Sequence, residues 1–355
     1  MELLFTKDSD WLKRWDDYVL NENKASHLLL SDWNKSFQNY GFDFEICIAL
    51  EDNKIIGGFS AVIAKALFLK FYIIPFGPIL SHYNTENFNQ LISKVKSRAN
   101  FLNCCYCHIT LPSSKVINAH VISEIEKSAL FSTAKEGHRF NYVYSSNGLN
   151  WKRIDNFENE EMLISSFKAS VRRYIRSSIR KGMELQFAVN EEQIKKGYEL
   201  CLKNAKENGY ALRDWDSFGK TISALVKNDT AKFLIANYQG TIKGSAFIVK
   251  SGNYYTYILG GTVKEKPDFL AGHFLHYSAC KLAWQEKFDG YNISLGGSIG
   301  VVNLKNSYAD EQIYFENSKY YWILKPTQFK MFVFLEKFIK KHKKNISKVL
   351  SKAKR

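Results

Sequence analysis

The chain reads as an α+β protein of two similar halves, and three observations predict it. Each half runs strands, then a helix, then a strand. Each contains a hairpin turn of related sequence. The 355 residues, 45% of them apolar, suffice for two separate cores. The halves are expected at 1–150 and 151–325, followed by an amphipathic and polybasic segment over 326–355.

The elements follow in order. From Asp43, FEICIAL is a strand, Glu51-Asp52-Asn53-Lys54 a polar turn, and further strands end between Pro75 and Pro78. TENFNQLISKVKSRANFL predicts a helix and CCYCHITL the strand after it. The polar stretch SSNGLNWKRIDN marks the boundary near 150. AKFLIANYQGTIKGSAFIVKSGNYYTYILGGT then predicts two or three strands around Gln239-Gly240 and Ser251-Gly252-Asn253. Leu275, Ala279, Leu282 and Ala283 lie at helical spacing in AGHFLHYSACKLAWQEKF, and YNISLGG is the closing strand. The turns NKIIG, from Asn53, and GTIKG, from Gly240, lie roughly 190 residues apart, far beyond the period of about 20 to 50 of a repeat array. A duplicated domain is the consequence.

Composition removes several classes. With 15% aromatic and 24% charged residues, long disorder is not expected outside the C-terminus. No apolar run is long enough to span a bilayer, and the start, MELLFTKDSDWLKRWDD, is charged too early for a secretory signal; a soluble, cytoplasmic protein is expected. The cysteines at 47, 104, 105, 107, 201 and 280 lack paired metal-ligand spacing, so they are read as buried reduced thiols, with no metal site.

The net charge of +15 is concentrated in two places. Lys168, Arg172, Arg173, Arg176, Arg180 and Lys181 form an acid-free cluster, and nine more basic residues, with no acid, run from Lys337 to Arg355. Two local cationic sites point to anionic partners: a phosphorylated ligand, RNA or an anionic membrane. On a helix, Val171, Ile175 and Ile179 make an apolar ridge and Arg172, Arg176 and Arg180 the ridge beside it. Guanidinium forks one helical turn apart suit successive phosphates; a solvated basic face is the plainer alternative. Tyr255 and Tyr257 share one face of a strand and suit either an acceptor cleft or an ordinary half-buried sheet.

Three segments, RRYIRSSIRKGMEL, YNISLGGSIGVVNLKNSYADEQIYF and SDWNKSFQNYGF, resemble the Fem family of non-ribosomal peptidyl transferases. In RRYIRSSIRKGMEL, Arg172, Arg173, Ile175, Arg176, Lys181 or Arg180, and Gly182 fall on that family's basic helix, with Ser177 and Ser178 in place of Lys-Ala. In YNISLGGSIGVVNLKNSYADEQIYF, Gly296, Gly297, Lys305, Tyr308 and Glu311 match, while Leu304 replaces Phe and Ala309-Asp310 the Gly position. SDWNKSFQNYGF, with Trp33 and Lys35, resembles its opening.

The resemblance implies two tandem GNAT-like domains and transfer of an aminoacyl group from aminoacyl-tRNA to an amine of a peptidoglycan or surface-glycan precursor, whether free or lipid-linked. It leaves open an acyl-CoA donor acting on an amino sugar, and a non-catalytic RNA- or membrane-binding protein on the same fold. In the expected pyrophosphate loop, KEKPDFLAGHFLH, Gly272 is present but Phe274 stands where a small residue belongs, which favours aminoacyl-tRNA over CoA; no tightly bound cofactor is expected. Acyl transfer needs a stabiliser for the oxyanion, and Lys305, with the backbone N–H groups near Gly296 and Gly297, is the candidate. His273 and His276 are set down as packed rather than basic catalysts. The segment 326–355 pairs phenylalanines with lysines, which suits three arrangements: resting on the anionic inner face of the membrane, packing of the phenylalanines on the second domain with a solvated tail, or an additional RNA contact.

Overall fold

A computed structural model describes all residues except 24, 67, 113–129, 132–142, 298, 316–317 and 338–355. The first sheet contains β1 (Glu2–Thr6), β2 (Asp43–Glu51), β3 (Lys54–Ala66), β4 (Leu69–Ile74), β5 (Ile79–Leu80), β6 (Tyr106–Thr110), β7 (Leu130–Phe131) and, from the far end of the chain, β15 (Lys319–Ile323). The second contains β8 (Gly148–Arg153), β9 (Glu184–Phe187), β10 (Ala231–Tyr238), β11 (Thr241–Lys250), β12 (Tyr254–Thr262), β13 (Gly290–Asn292) and β14 (Glu311–Tyr314). The helices are α1 (Ser9–Asn21), α2 (Ser31–Lys35), α3 (Thr85–Phe101), α4 (Glu160–Ser165), α5 (Ala169–Arg180), α6 (Glu191–Glu207), α7 (Trp215–Lys227), α8 (Ala271–Gln285), α9 (Ile299–Tyr308) and α10, residues 326–337.

Local sequence explains the helix starts. Asp8, Asn84, Asn159, Asn190 and Asp214 each accept a backbone N–H of the first turn of the helix that follows, satisfying donors that have no partner within the helix.

The duplication holds at the level of register. The β2–β3 turn has Asp52 and Asn53 at positive φ, and the β10–β11 turn has Gln239 and Gly240 there, the conformation that matches a right-twisted two-residue hairpin. In each hairpin the pairing slips by one residue at the same place, between Ala49 and Leu50 and between Ala236 and Asn237. Each half then runs through a third strand and a helix, α3 or α8, to a parallel partner: β4 with β6, and β12 with β13. Two tandem GNAT-like α+β halves are therefore present.

The end of the chain departs from the expected limits. β15 pairs Tyr321 with His108 and Ile323 with Tyr106, so a strand assigned by sequence to the second half completes the first sheet. α10 follows it back: Phe329 stacks on Tyr106 with centroids 5.0 Å apart, and Phe332 packs 4.6 Å from Phe71. These two phenylalanines are buried core, not interfacial surface, whereas Phe334 is 69% exposed. Of the nine basic residues, Lys337 is the last described residue of α10 and the other eight lie outside the described residues.

One apolar core spans both halves. At the seam, Arg213 donates from Nη1 to Ser36 Oγ (2.8 Å), from Nη2 to Ser36 O (2.8 Å) and from Nε to the Tyr40 hydroxyl (3.0 Å), with its guanidinium 4.2 Å from the Phe218 ring. Tyr254 donates to Ala25 O (3.1 Å) from the other side. Trp33, expected at a binding site, is buried in this seam against His27 and Phe218. No helix among the described residues is long and apolar enough to cross a membrane.

Candidate active site

The two halves differ where their parallel strands end. In the first sheet β4 and β6 stay paired through Ile74 and Ile109, and Gly77 N donates to Thr110 O (2.7 Å) beyond them. In the second sheet β12 and β13 pair only over Tyr254–Thr256 and Gly290–Asn292. Beyond Thr256, β12 continues for six residues without β13, and a cavity of about 530 Å³ occupies the resulting wedge. Its walls come from β12, the start of α8, the loop 294–297, α9 and the end of α6. Gly260 keeps it open: a Cβ there would sit 2.7 Å from the Tyr257 hydroxyl and 2.8 Å from Ser245 O.

Lys305 lies in this wall. It is 7% exposed and its Nζ donates to Ser294 Oγ (2.9 Å) and Gly296 O (3.0 Å), 5.5 Å from the centre of the Tyr257 ring. No carboxylate pairs with it among the described residues, and burial pulls its pKa down to about 8. An ammonium has three N–H groups, so one remains for a ligand. Gly296 and Gly297 adopt φ of +89° and +133°, and a Cβ on Gly297 would meet Val301 at 2.8 Å, so the turn that presents the Gly296 carbonyl favours glycine.

A ring network backs the wall. The His276 Nδ1 and the Tyr291 hydroxyl are 2.9 Å apart, and the His273 Nδ1 and the Tyr308 hydroxyl 2.8 Å. Burial, reinforced by the Lys305 and His273 charges, lowers His276 to about 3, so it stays a neutral imidazole at physiological pH. Burial pushes the Tyr257 phenol up, leaving it a neutral hydroxyl in the cavity lining.

Of the residues expected from sequence, Lys305, Tyr257, Gly296 and Gly297 come together here. Tyr255 does not: it is fully buried, donates to Glu286 Oε1 (2.7 Å) and packs on Phe288. Lys35 is exposed at the end of α2, next to the seam. Phe274 lies in the first turn of α8 with its side chain buried in the core of the second half, so it is not in the loop that would hold a pyrophosphate. Ser294, Tyr291, Asn204 and Tyr210 were missed by sequence reasoning; Asn204 in the last turn of α6 and Asn208 just past its end, an i, i+4 amide pair, were the one available signal.

The arginines line a second, more open cavity of about 810 Å³ between α4 and α5. They are not equivalent. Arg172 Nη1 donates to Ser165 O (3.1 Å) and Phe167 O (2.9 Å), which ties down the turn into α5, and Arg176 is paired with Glu161. Arg173 and Arg180 are exposed and make no ion pair among the described residues. Tyr174, on the same helix as these arginines, packs 4.6 Å from His273 on α8.

A duplicated fold with one splayed parallel pair and a buried, carboxylate-free lysine at the splay is that of a tandem acyltransferase. The FemAB family model matches residues 12–241, and the chain belongs to the FemAB family. Family and fold place it among acyl- and aminoacyltransferases. Among solved structures it is similar to FemX, with a TM-score of 0.78 at 15% identity over 93% of this chain and 99% of that one. It is also similar to L-PGS from Bacillus licheniformis, at 0.55 and 11% identity over 90% and 92%, and to a conserved protein from Bacteroides thetaiotaomicron, at 0.55 and 12% over 90% and 99%. These likenesses are of fold. The sequence has no match among curated proteins.

Proposed function

We propose that the chain transfers an aminoacyl group from aminoacyl-tRNA to an amine of a peptidoglycan or surface-glycan precursor, with the wedge of the second sheet as the reaction site. The observation supporting this most is Lys305, a buried cation facing a cavity with no acid among its described lining residues. In the reaction the acceptor amine attacks the ester carbonyl, a C–N bond forms, and the ester C–O bond breaks. The ribose hydroxyl leaves with a proton and the amine loses one. Lys305 supplies an N–H to the oxyanion as charge develops in a site where water is scarce. At a pKa of about 3, His276 is too weak a base to take the amine proton, so this reading assigns it the positioning of Tyr291 and the cavity wall. Arg173 and Arg180 hold phosphates of the donor strand beside α8.

Turnover tests it directly. The purified full chain is supplied with a soluble precursor and either charged tRNA or acyl-CoA. Amide formation with charged tRNA alone supports the reading; turnover with acyl-CoA alone replaces it with CoA-dependent acylation, and turnover with neither contradicts both.

A further inference from the structure

The groove between α4 and α5 has an acidic wall as well as a basic one. Arg173, Arg176 and Arg180 line it from α5 at i, i+3 and i+7, along one side of that helix, and Glu160 and Glu161 line it from α4. At about 1.5 Å of rise per residue, Arg176 stands about 4.5 Å along the axis from Arg173 and about 6 Å from Arg180, and the outer two are about 10 Å apart.

The two acids are committed to different helices. Asn159 accepts the Met162 N–H and fixes the first turn of α4, where successive residues are rotated by about 100°. Glu160 accepts hydrogen bonds from the Tyr277 hydroxyl and from Lys281 Nζ on α8, while Glu161 is paired with Arg176 on α5. Arg172, bonded to the Ser165 and Phe167 carbonyls, holds the turn that joins α4 to α5. A carboxylate therefore occupies the middle arginine of the three. Arg173 and Arg180 make no ion pair among the described residues, so the groove offers two free guanidinium groups that are not neighbours.

We propose that Glu161 determines which phosphate ligand this groove accepts: by holding Arg176 it favours an extended nucleic-acid strand over a compact pyrophosphate. Separate phosphates of a strand reach Arg173 and Arg180, whereas the two phosphates of a pyrophosphate share an oxygen and need neighbouring forks. A pyrophosphate is what an acyl-CoA donor would bring. The inference rests on the reading of this groove as the donor's phosphate site, and makes Glu161 a source of its selectivity. The pair with Arg176 is not a strong structural tie: the two side chains are 62% and 47% exposed, so a ligand phosphate competes for the arginine.

The test measures binding of uncharged tRNA and of inorganic pyrophosphate to the full chain, as native protein, Glu161→Ala, Arg176→Ala and the double variant. Glu161→Ala should gain about tenfold or more in pyrophosphate affinity, because Arg176 then completes a neighbouring pair of forks. It should gain only about two- to fivefold for tRNA, with the slope of log affinity against log salt steeper by about 0.7 as one more phosphate is met. Adding Arg176→Ala should cancel both gains. Misfolding would weaken binding, so it cannot mimic this result. An unchanged pyrophosphate affinity in Glu161→Ala, or a gain that survives Arg176→Ala, would overturn the inference while leaving native tRNA binding, and with it the donor reading, intact. Absence of tRNA binding from every form would instead contradict the donor reading, and a pyrophosphate gain that still depends on Arg176 would support the control by Glu161.

Discussion

Lys305 shows how much one side chain's surroundings decide. An ammonium whose pKa falls from 10.5 to about 8 on folding is charged in both states at neutral pH and is penalised in the folded one. The unfolded chain binds more protons between those values, so this penalty is complete below about 8 and is relieved as pH rises towards 10.5. Lys305→Met is therefore expected to be at least as stable as the native protein at pH 7, by up to about 3 kcal/mol, with the advantage shrinking through that window. Urea unfolding at several pH values measures it, and a variant less stable at pH 7 would mean that the bonds to Ser294 and Gly296 outweigh the buried charge. The same titration sets a rate limb. If the charged form serves the oxyanion, turnover should fall as pH rises through about 8, and Lys305→Arg should displace that limb upward even at a lower rate. An unmoved limb would assign it to another group. Lys305 was legible from sequence through its motif, but its low pKa was not, because that depends on burial contributed by β12 and the loop 294–297.

At the scale of elements, α5 was legible and the division of labour within it was not. The apolar ridge is real, since Val171 and Ile175 are buried, and the arginines do face outward. Spacing alone made Arg172, Arg176 and Arg180 one equivalent phosphate-binding ridge. The folded chain gives Arg172 to the carbonyls of Ser165 and Phe167 and Arg176 to Glu161, partners brought close by a turn that periodicity does not reveal. Arg173→Ala with Arg180→Ala should weaken tRNA binding roughly tenfold or more and lower its salt dependence, with the unfolding midpoint unchanged. Arg172→Ala should instead lower that midpoint. Filter binding over a salt series, read beside thermal unfolding, separates the two; the reverse assignment would restore the simple ridge. α2 teaches the same lesson about the seam. Its Trp33 carries the family motif, yet the ring is packed between halves, a contact between segments nearly 200 residues apart that sequence alone does not show.

At the scale of the molecule, duplication was legible because its signals are local: two related turns, each between strands, and two helices of matching pattern; the matching register slips were not. The return of β15 and α10 to the first sheet was not, because strand pairing across the whole chain leaves no mark in a short window. That return, the shared core and Arg213 bind the halves into one unit. Arg213→Met removes three hydrogen bonds at the seam and leaves Ser36 and Tyr40 without their donor, which should cost about 2–4 kcal/mol in a single cooperative unfolding transition. A second transition appearing in the native protein would show the halves to be independent.

The asymmetry of the two sheets is the centre of the account: the pair β4–β6 is closed and the pair β12–β13 is open over Lys305. The most direct test is single-turnover transfer from charged tRNA to a soluble precursor, with native protein and Lys305→Met compared at saturating donor and with tRNA affinity measured alongside. The account predicts a rate about 10²-fold lower or more in the variant, with tRNA bound as tightly as before. Equal rates in the two proteins would place the chemistry outside the wedge and contradict it.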